Sequence, residues 1–531
     1  MNSVSGSAAA APAAPPELEK LFDRRLIQVS SVVILGIIMS ILDTTIVNVA
    51  LDTLARDFDT TLTNIQWVAT GYLLALATVI PLTGWAAHRF GTKRLFIISI
   101  TLFTIGSMLC GLAWNDASLI FFRVLQGFGG GMIMPVGMTI LTQEAGPAKV
   151  GRMMGVIGVP MLLAPILGPI LGGWLVDDVS WRWIFYVNVP IGILAVALAQ
   201  RFLDRDEPSP GESLDWKGLL LLSPGMAAMV YGLAETGPEG GFSSPKVLVP
   251  LLVGAAMVIG FIFHALRAED ALIDVRLFKD KVMAVATSTS FILAMSFFGA
   301  MILMPLYFQV VRDLSALQAG LLVAPQGLGA AIMMPVAGKV TDRYGSGRIV
   351  PFGAIVLLAC TYSLTTLGAD TPYWHIIVTL FVMGLGMGAT MMPTMSSAFI
   401  TLKRDQVPRA TSAINAIQRV GGSIGVAILS TYLTHAMTSN LSATAASAAE
   451  SRGGIGALGE LPPAAHDKIA PLIADAFGKT YWVSFGLLTI MFVLSLFLPR
   501  HGTAALVARS GSAEEDEILA SEPPEAIALE V

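Results

Sequence analysis

Asp43 is a carboxylate set deep in an apolar stretch, L42DTTIVNVAL51, with only Thr44, Thr45 and Asn48 as polar company. An Asp at the centre of a membrane span costs on the order of 3 kcal/mol on insertion scales. Residues that carry such a cost usually face a cavity and mark an ion or substrate path. Burial disfavours the charged form of a carboxylate, which suits a group that takes up and releases a proton. Two cations are embedded in the same way. Arg123 shares a helical face with Gln126 and Gly127, and its depth from the outer end of its run differs from that of Asp43 by about 4–5 Å at helical rise. The spacing therefore permits the two charges to meet. Arg419 falls near mid-membrane of a later run, where it suits binding an anionic group, holding a water-filled gate, or capping neighbouring carbonyls.

The elements that position these groups are long and apolar. Of 531 residues, 54% are hydrophobic and only 13% charged, where soluble globular chains carry about 25% charged residues. The composition implies an integral membrane protein. A span needs about 20 apolar residues, and fourteen such runs follow one another between residues 26 and 499. Most of the 32 Lys and Arg fall in segments that are inside if the N-terminus is inside, so the positive-inside rule places both termini in the cytoplasm. No cleavable leader is evident, because the first apolar run is too long for one. Cys110 and Cys360 lie within apolar runs, which disfavours a disulfide framework or a zinc site.

The runs repeat. Residues 84–94, GWAAHRFGTKR, return as GKVTDRYGSGR at 338–348: Gly84, Arg89, Gly91 and Arg94 recur as Gly338, Arg343, Gly345 and Arg348, while His88 becomes Asp342. G127FGGGMIMP135 likewise returns as G384LGMGATMMP393. The expected architecture is an all-α integral membrane fold of two six-helix bundles with two additional central spans. Its parts are an N-terminal tail (1–25), a first bundle (26–206), two linker spans (207–282), a second bundle (283–500) with an outside loop at 437–479, and an acidic tail (501–531). Paired bundles with a site between them are the logic of secondary transporters.

These stretches resemble the major facilitator superfamily, and within it the fourteen-span drug:proton antiporters of the EmrB/QacA type. R123VLQGFGGG131 is similar to the fourth-span arginine motif, G158VPMLLAPILGPILGG173 to the fifth-span antiporter motif, and W181RWIFYVNVPIG192 is typical of the group. The resemblance implies proton-coupled export of lipophilic compounds by alternating access, with Arg123 taking part in proton coupling beside Asp43, whose burial suits it to carry the proton. It assigns a conformational latch to Gly84, His88, Arg89, Gly91 and Arg94 and to Gly338, Asp342, Arg343, Gly345 and Arg348. The acidic member of the latch is implied to meet a helix N-terminus of the opposing bundle, a role that His88 does not fill. A weaker, pH-sensitive latch and simple tolerance of histidine are both open.

Gly158, Pro165, Gly168, Pro169, Gly172 and Gly173 form the antiporter helix. Its small residues allow close backbone approach and its prolines remove backbone donors inside a span. Asp43, Gln126, Met134, Met138, Phe298, Met301, Tyr307, Met391 and Arg419 are the candidates to line the substrate cavity, methionine suiting an adaptable surface. With one embedded carboxylate, neutral or singly cationic substrates are expected. No cofactor is expected: there is no phosphate-binding loop and no H-E-x-x-H. The G-x-S-x-G at 421–425 lies inside an apolar helix, and the G-x-G-x-x-G at 454–459 has no flanking strand and helix. Partners would be protons, lipophilic small molecules and membrane lipid, with no nucleic acid; a periplasmic adaptor protein is left open. Export of a dedicated lipid, siderophore or antibiotic, or a non-pumping receptor on the same fold, are the competing functions; an enzyme is not expected.

Overall fold

The computed structural model describes residues 24–145, 150–204, 213–236, 241–268, 270–403, 405–440 and 463–500. Within them the chain is helical, as a bilayer demands of a backbone that has no water to bond to. The long helices are α1 (Arg24–Asp57), α2 (Trp67–Phe90), α3 (Thr92–Gly111), α4 (Asp116–Ala145), α5 (Val150–Asp178), α6 (Trp183–Phe202) and α7 (Trp216–Ala234). They continue with α8 (Pro245–Ala265), α9 (Lys281–Val310), α10 (Ala316–Tyr344), α11 (Ser346–Leu364), α12 (Tyr373–Ser397), α13 (Val407–Asn440) and α14 (Pro463–Ser495). Thirteen have the length and apolarity to cross a membrane. The 29-residue α5, some of whose side chains lie outside the description, makes the fourteenth. The tail at 1–23, the tail at 501–531 and the 454–459 motif also lie outside the described residues.

The expected outside loop at 437–479 is shorter than its sequence suggests. Helix α13 continues to Asn440 and α14 begins at Pro463, so the polar ends of two helices occupy much of that span.

Packing follows the repeat. In the first bundle, α4 rides on α2: a Cβ on Gly127 would stand 2.7 Å from the Tyr72 carbonyl oxygen, and one on Gly131 2.8 Å from that of Leu76. In the second, α12 rides on α10 in the same register, Gly384 on the carbonyl of Gln326 and Gly388 on that of Ala330. The fifth helix of each bundle likewise grips the first. Gly168 and Gly172 of α5 abut Thr45 and Ile46 of α1, and Gly421 and Gly425 of α13 abut Phe291 and Met295 of α9. Missing side chains, not polar glue, set these helix distances.

The bundles meet along two lines, α5 with α10 and α2 with α13. The linker helices α7 and α8 pack on one another, and α7 also reaches α2 and α13, with Tyr231 stacked on Trp67 at 5.8 Å. Asp215 caps the start of α7 by accepting from the Gly218 amide. The exterior is apolar and includes Leu252, Phe263, Ile193, Phe121 and Phe497, a surface that would be a liability in water and is what lipid requires.

The repeats also differ in their backbone. Helix α2 is broken by a 3-10 turn at Ile80–Leu82 that contains Pro81, whereas α10 runs unbroken through the equivalent Pro335.

Candidate functional site

Asp43 and Arg123 meet. Arg123 Nη1 donates to Asp43 Oδ2 at 2.6 Å, with the two side chains 1% and 0% exposed. Close approach of the carrying helices makes this geometry. Gly127 lets α4 settle on α2, and Gly106 of α3 lies directly against the backbone of Gln126. The guanidinium is held on every side. Its Nε donates to the Val68 carbonyl at 3.2 Å, Nη1 also donates to Gln126 Oε1 at 2.8 Å, and the Tyr72 ring lies 4.1 Å from its Cζ. The carboxylate is equally enclosed: Gln126 Nε2 and Asn188 Nδ2 donate to Oδ1 at 2.9 and 3.1 Å. Asn188 also donates to Ser107 Oγ at 3.0 Å, which donates to the Phe185 carbonyl at 2.9 Å. A buried ion pair holds only where its remaining hydrogen-bonding capacity is met, and here α1, α3, α4 and α6 meet it.

Sequence reasoning missed Asn188, Ser107 and Tyr72. The signal for Asn188 was present, since it is an amide set among apolar residues in the stretch that follows Trp183.

The other candidates scatter. Gln126 belongs to the charge cluster. Met138 is fully buried in the core, Met134, Met301 and Met391 are half-buried, and Phe298 lies against Gly422 of α13. Tyr307 is not brought to this centre. Its hydroxyl donates to the Gly368 carbonyl at 2.7 Å, accepts from Arg312 Nε at 3.2 Å, and its ring packs on Phe477 of α14. Arg419 sits half-buried in α13 and makes no hydrogen bond to Asp43 or Arg123. A groove of about 400 Å³ between α10 and α11, lined by Met333, Tyr344, Arg348 and Phe352 among others, contains none of the candidate cavity residues.

At the seam, Gly84 of α2 lies against the start of α13, where a Cβ would come 3.1 Å from Arg409 Cα and 3.3 Å from the Pro408 carbonyl oxygen. Gly91 and Gly345 turn the chain at φ 80° and 83°, a region that favours glycine. His88 Nε2 is buried and has no hydrogen-bond partner among the described residues, whereas Asp342 is engaged. Arg89 is half-buried, and Arg94, Arg343 and Arg348 are exposed; Arg343 and Arg348 flank the Tyr344 ring. Gly338 is buried in α10.

On α5, Gly158 abuts Met334 and Met392 of the opposite bundle, while nothing comes within 4 Å of a Cβ on Gly173. The side chains of Pro165 and Pro169 lie outside the described residues. Gly320, at the opposite end of α10 from Gly338, is equally open. The tight approach at Gly84 joins the bundles at the end bearing the repeated phrases. Among the described residues no three His, Cys, Asp or Glu side chains converge on a metal-sized site.

Two pseudo-equivalent six-helix bundles joined by two linker helices, the first of them enclosing a buried charge cluster, define a multi-pass membrane transporter of the cell membrane rather than an enzyme. The chain belongs to the major facilitator superfamily, whose family model matches residues 33–426. Within it, the chain groups with transporters of the EmrB type. It is 43% identical over 491 residues to a multidrug resistance protein B homolog of Mycobacterium tuberculosis, covering 90% of this chain and 91% of that one. It is 32% identical over 403 residues to the multidrug export protein EmrB of Escherichia coli, covering 76% and 79%. The solved structure of the proton:xylose symporter XylE shares the fold, with a TM-score of 0.57 at 13% identity over 91% of this chain and 99% of that one.

Proposed function

We propose that the chain is a proton-coupled antiporter that exports lipophilic small molecules across the cytoplasmic membrane, with both termini in the cytoplasm. The observation that carries this reading is the environment of Asp43: a carboxylate sealed inside the first bundle, paired with Arg123 and tied by hydrogen bonds to α4 and α6. Relatives named for multidrug export support the substrate side of it.

Asp43 carries the proton. In the charged form it holds α1, α4 and α6 together through Arg123, Gln126 and Asn188. Protonation removes the charge that fixes Arg123 and turns an acceptor oxygen into a donor, so these ties loosen. Two residues further along α1, Thr45 is set against Gly168 of α5, and α5 is the helix that meets α10 across the seam. A change at Asp43 is therefore passed to the interface that must rearrange when access alternates. Each charge that crosses with the potential supplies about 2.3 kcal/mol per 100 mV. The test is a pH gradient imposed on proteoliposomes holding the full chain and a fluorescent lipophilic probe. Gradient-driven probe movement that disappears in Asp43→Asn is expected, and movement unchanged in that variant would end the proposal.

A further inference from the structure

Among the described residues, Arg419 is a cation with no protein counter-charge. It lies about 18 Å along α13 from Val407 at helical rise, well inside the span. Ser412 of the same helix is set against Gly84 of the opposite bundle, and Arg419, seven residues on, shares that helical face. The other flank of α13 is committed to α9 through Gly421 and Gly425. The guanidinium is thereby directed toward the first bundle, and it is half-buried, not sealed. Among the described residues it makes no hydrogen bond or ion pair. Among the described residues, the titratable side chain in electrostatic reach is the phenol of Tyr72.

The embedded carboxylate that could neutralise it is already occupied. Arg123, Gln126 and Asn188 fill both oxygens of Asp43. The Asp43–Arg123 pair sums to zero, so among the described residues Arg419 is left without a counter-charge in the span interior. A lone cation in a span interior costs about 2.5–3.5 kcal/mol on insertion scales, and such groups mark substrate or ion paths.

We propose that Arg419 recognises an anionic group, and that the transported compounds are lipophilic anions: an apolar or aromatic body carrying one carboxylate or sulfonate. The planar guanidinium fork matches such a group with two parallel hydrogen bonds. The sequence alone favoured neutral or singly cationic substrates because it left Asp43 free to meet them; with Asp43 enclosed, the sign reverses. This inference rests on the exporter reading above and adds the charge of its cargo.

Three fluorescent probes with one ring and one chain length separate the alternatives: pyrenebutyrate, pyrenebutanamide and pyrenebutylamine, which are anionic, neutral and cationic. In proteoliposomes of the full chain under an imposed pH gradient, pyrenebutyrate should move fastest. Arg419→Gln should lower its initial rate about tenfold or more, the loss expected for one charge-assisted contact, leave pyrenebutanamide within about twofold, and be partly rescued by Arg419→Lys. With the unaltered protein, which needs no variant to fold, pyrenebutyrate should compete against pyrenebutanamide transport better than pyrenebutylamine does. A preference for the amine, or an equal loss of all three probes in Arg419→Gln, overturns the anion proposal and leaves the exporter standing. Failure of the unaltered protein to move any of the three overturns both.

Discussion

Asp43 and Thr45, two residues apart on α1, face different neighbours: the carboxylate is bound by Arg123 of α4, and the hydroxyl-bearing side chain is pressed on Gly168 of α5. One helical turn thus touches both the charge cluster and the helix that runs along the seam. Four expectations follow from this arrangement and from the seam itself.

Asp43→Asn keeps the shape of the site and removes its charge, leaving Arg123 buried without a counter-ion. Breaking one side of a buried pair costs about 3–5 kcal/mol, so this variant should melt at a lower temperature and lose gradient-driven transport. The double variant Asp43→Asn with Arg123→Gln should recover much of the stability and none of the coupling. Thermal melts of the four proteins in detergent form the double-mutant cycle that measures the pair.

Asn188→Ala removes the amide that joins Asp43 to Ser107. A stability loss of about 1–3 kcal/mol is expected for the two buried hydrogen bonds lost, one of them to a carboxylate. Because one donor to Asp43 is gone, the pH profile of transport should also move. A melt change without any change in that profile would confine Asn188 to structure.

Gly168 and Gly173 make a matched pair on α5. A methyl at Gly168 collides with Thr45, and a methyl at Gly173 meets nothing within 4 Å. Gly168→Ala should therefore cost about 1–3 kcal/mol through overpacking and slow transport, while Gly173→Ala should behave as the parent. Initial rates and melts of the two variants, measured side by side, decide it.

His88→Asp places an acid on α2 close to the first turn of α13. Acids near a helix N-terminus gain about 0.3–1 kcal/mol, so the closed seam should be favoured and turnover should fall by about two- to fivefold. Transport rates across pH for both proteins read the effect. Identical rates and identical profiles would leave histidine here as a tolerated substitution with no switching role.

Much of the fold was legible because a bilayer leaves coarse marks. Apolar runs of span length and the repeat of GWAAHRFGTKR as GKVTDRYGSGR need no knowledge of how helices turn about their axes. The meeting of Asp43 with Arg123 was legible only as a permitted depth. Asn188 and Ser107 were not legible as partners, because a helix that is apolar all round carries little periodic phase to say which face is inward. Tyr307 misled for the same reason: an aromatic in a methionine-rich helix looks like a cavity wall, yet its hydroxyl is bound at the end of α9 by the Gly368 carbonyl and Arg312. The long polar stretch after α13 misled in another way, since polarity is compatible with helix ends that project beyond the lipid.

The linker helices have a consequence for the molecule's surroundings. Helix α7 lies over α2 and α13 and so roofs one of the two lines along which the bundles meet, while among the described residues the line between α5 and α10 carries no such roof. The two flanks seen from the bilayer are unlike, and a compound dissolved in the lipid finds the protein to have a front and a back.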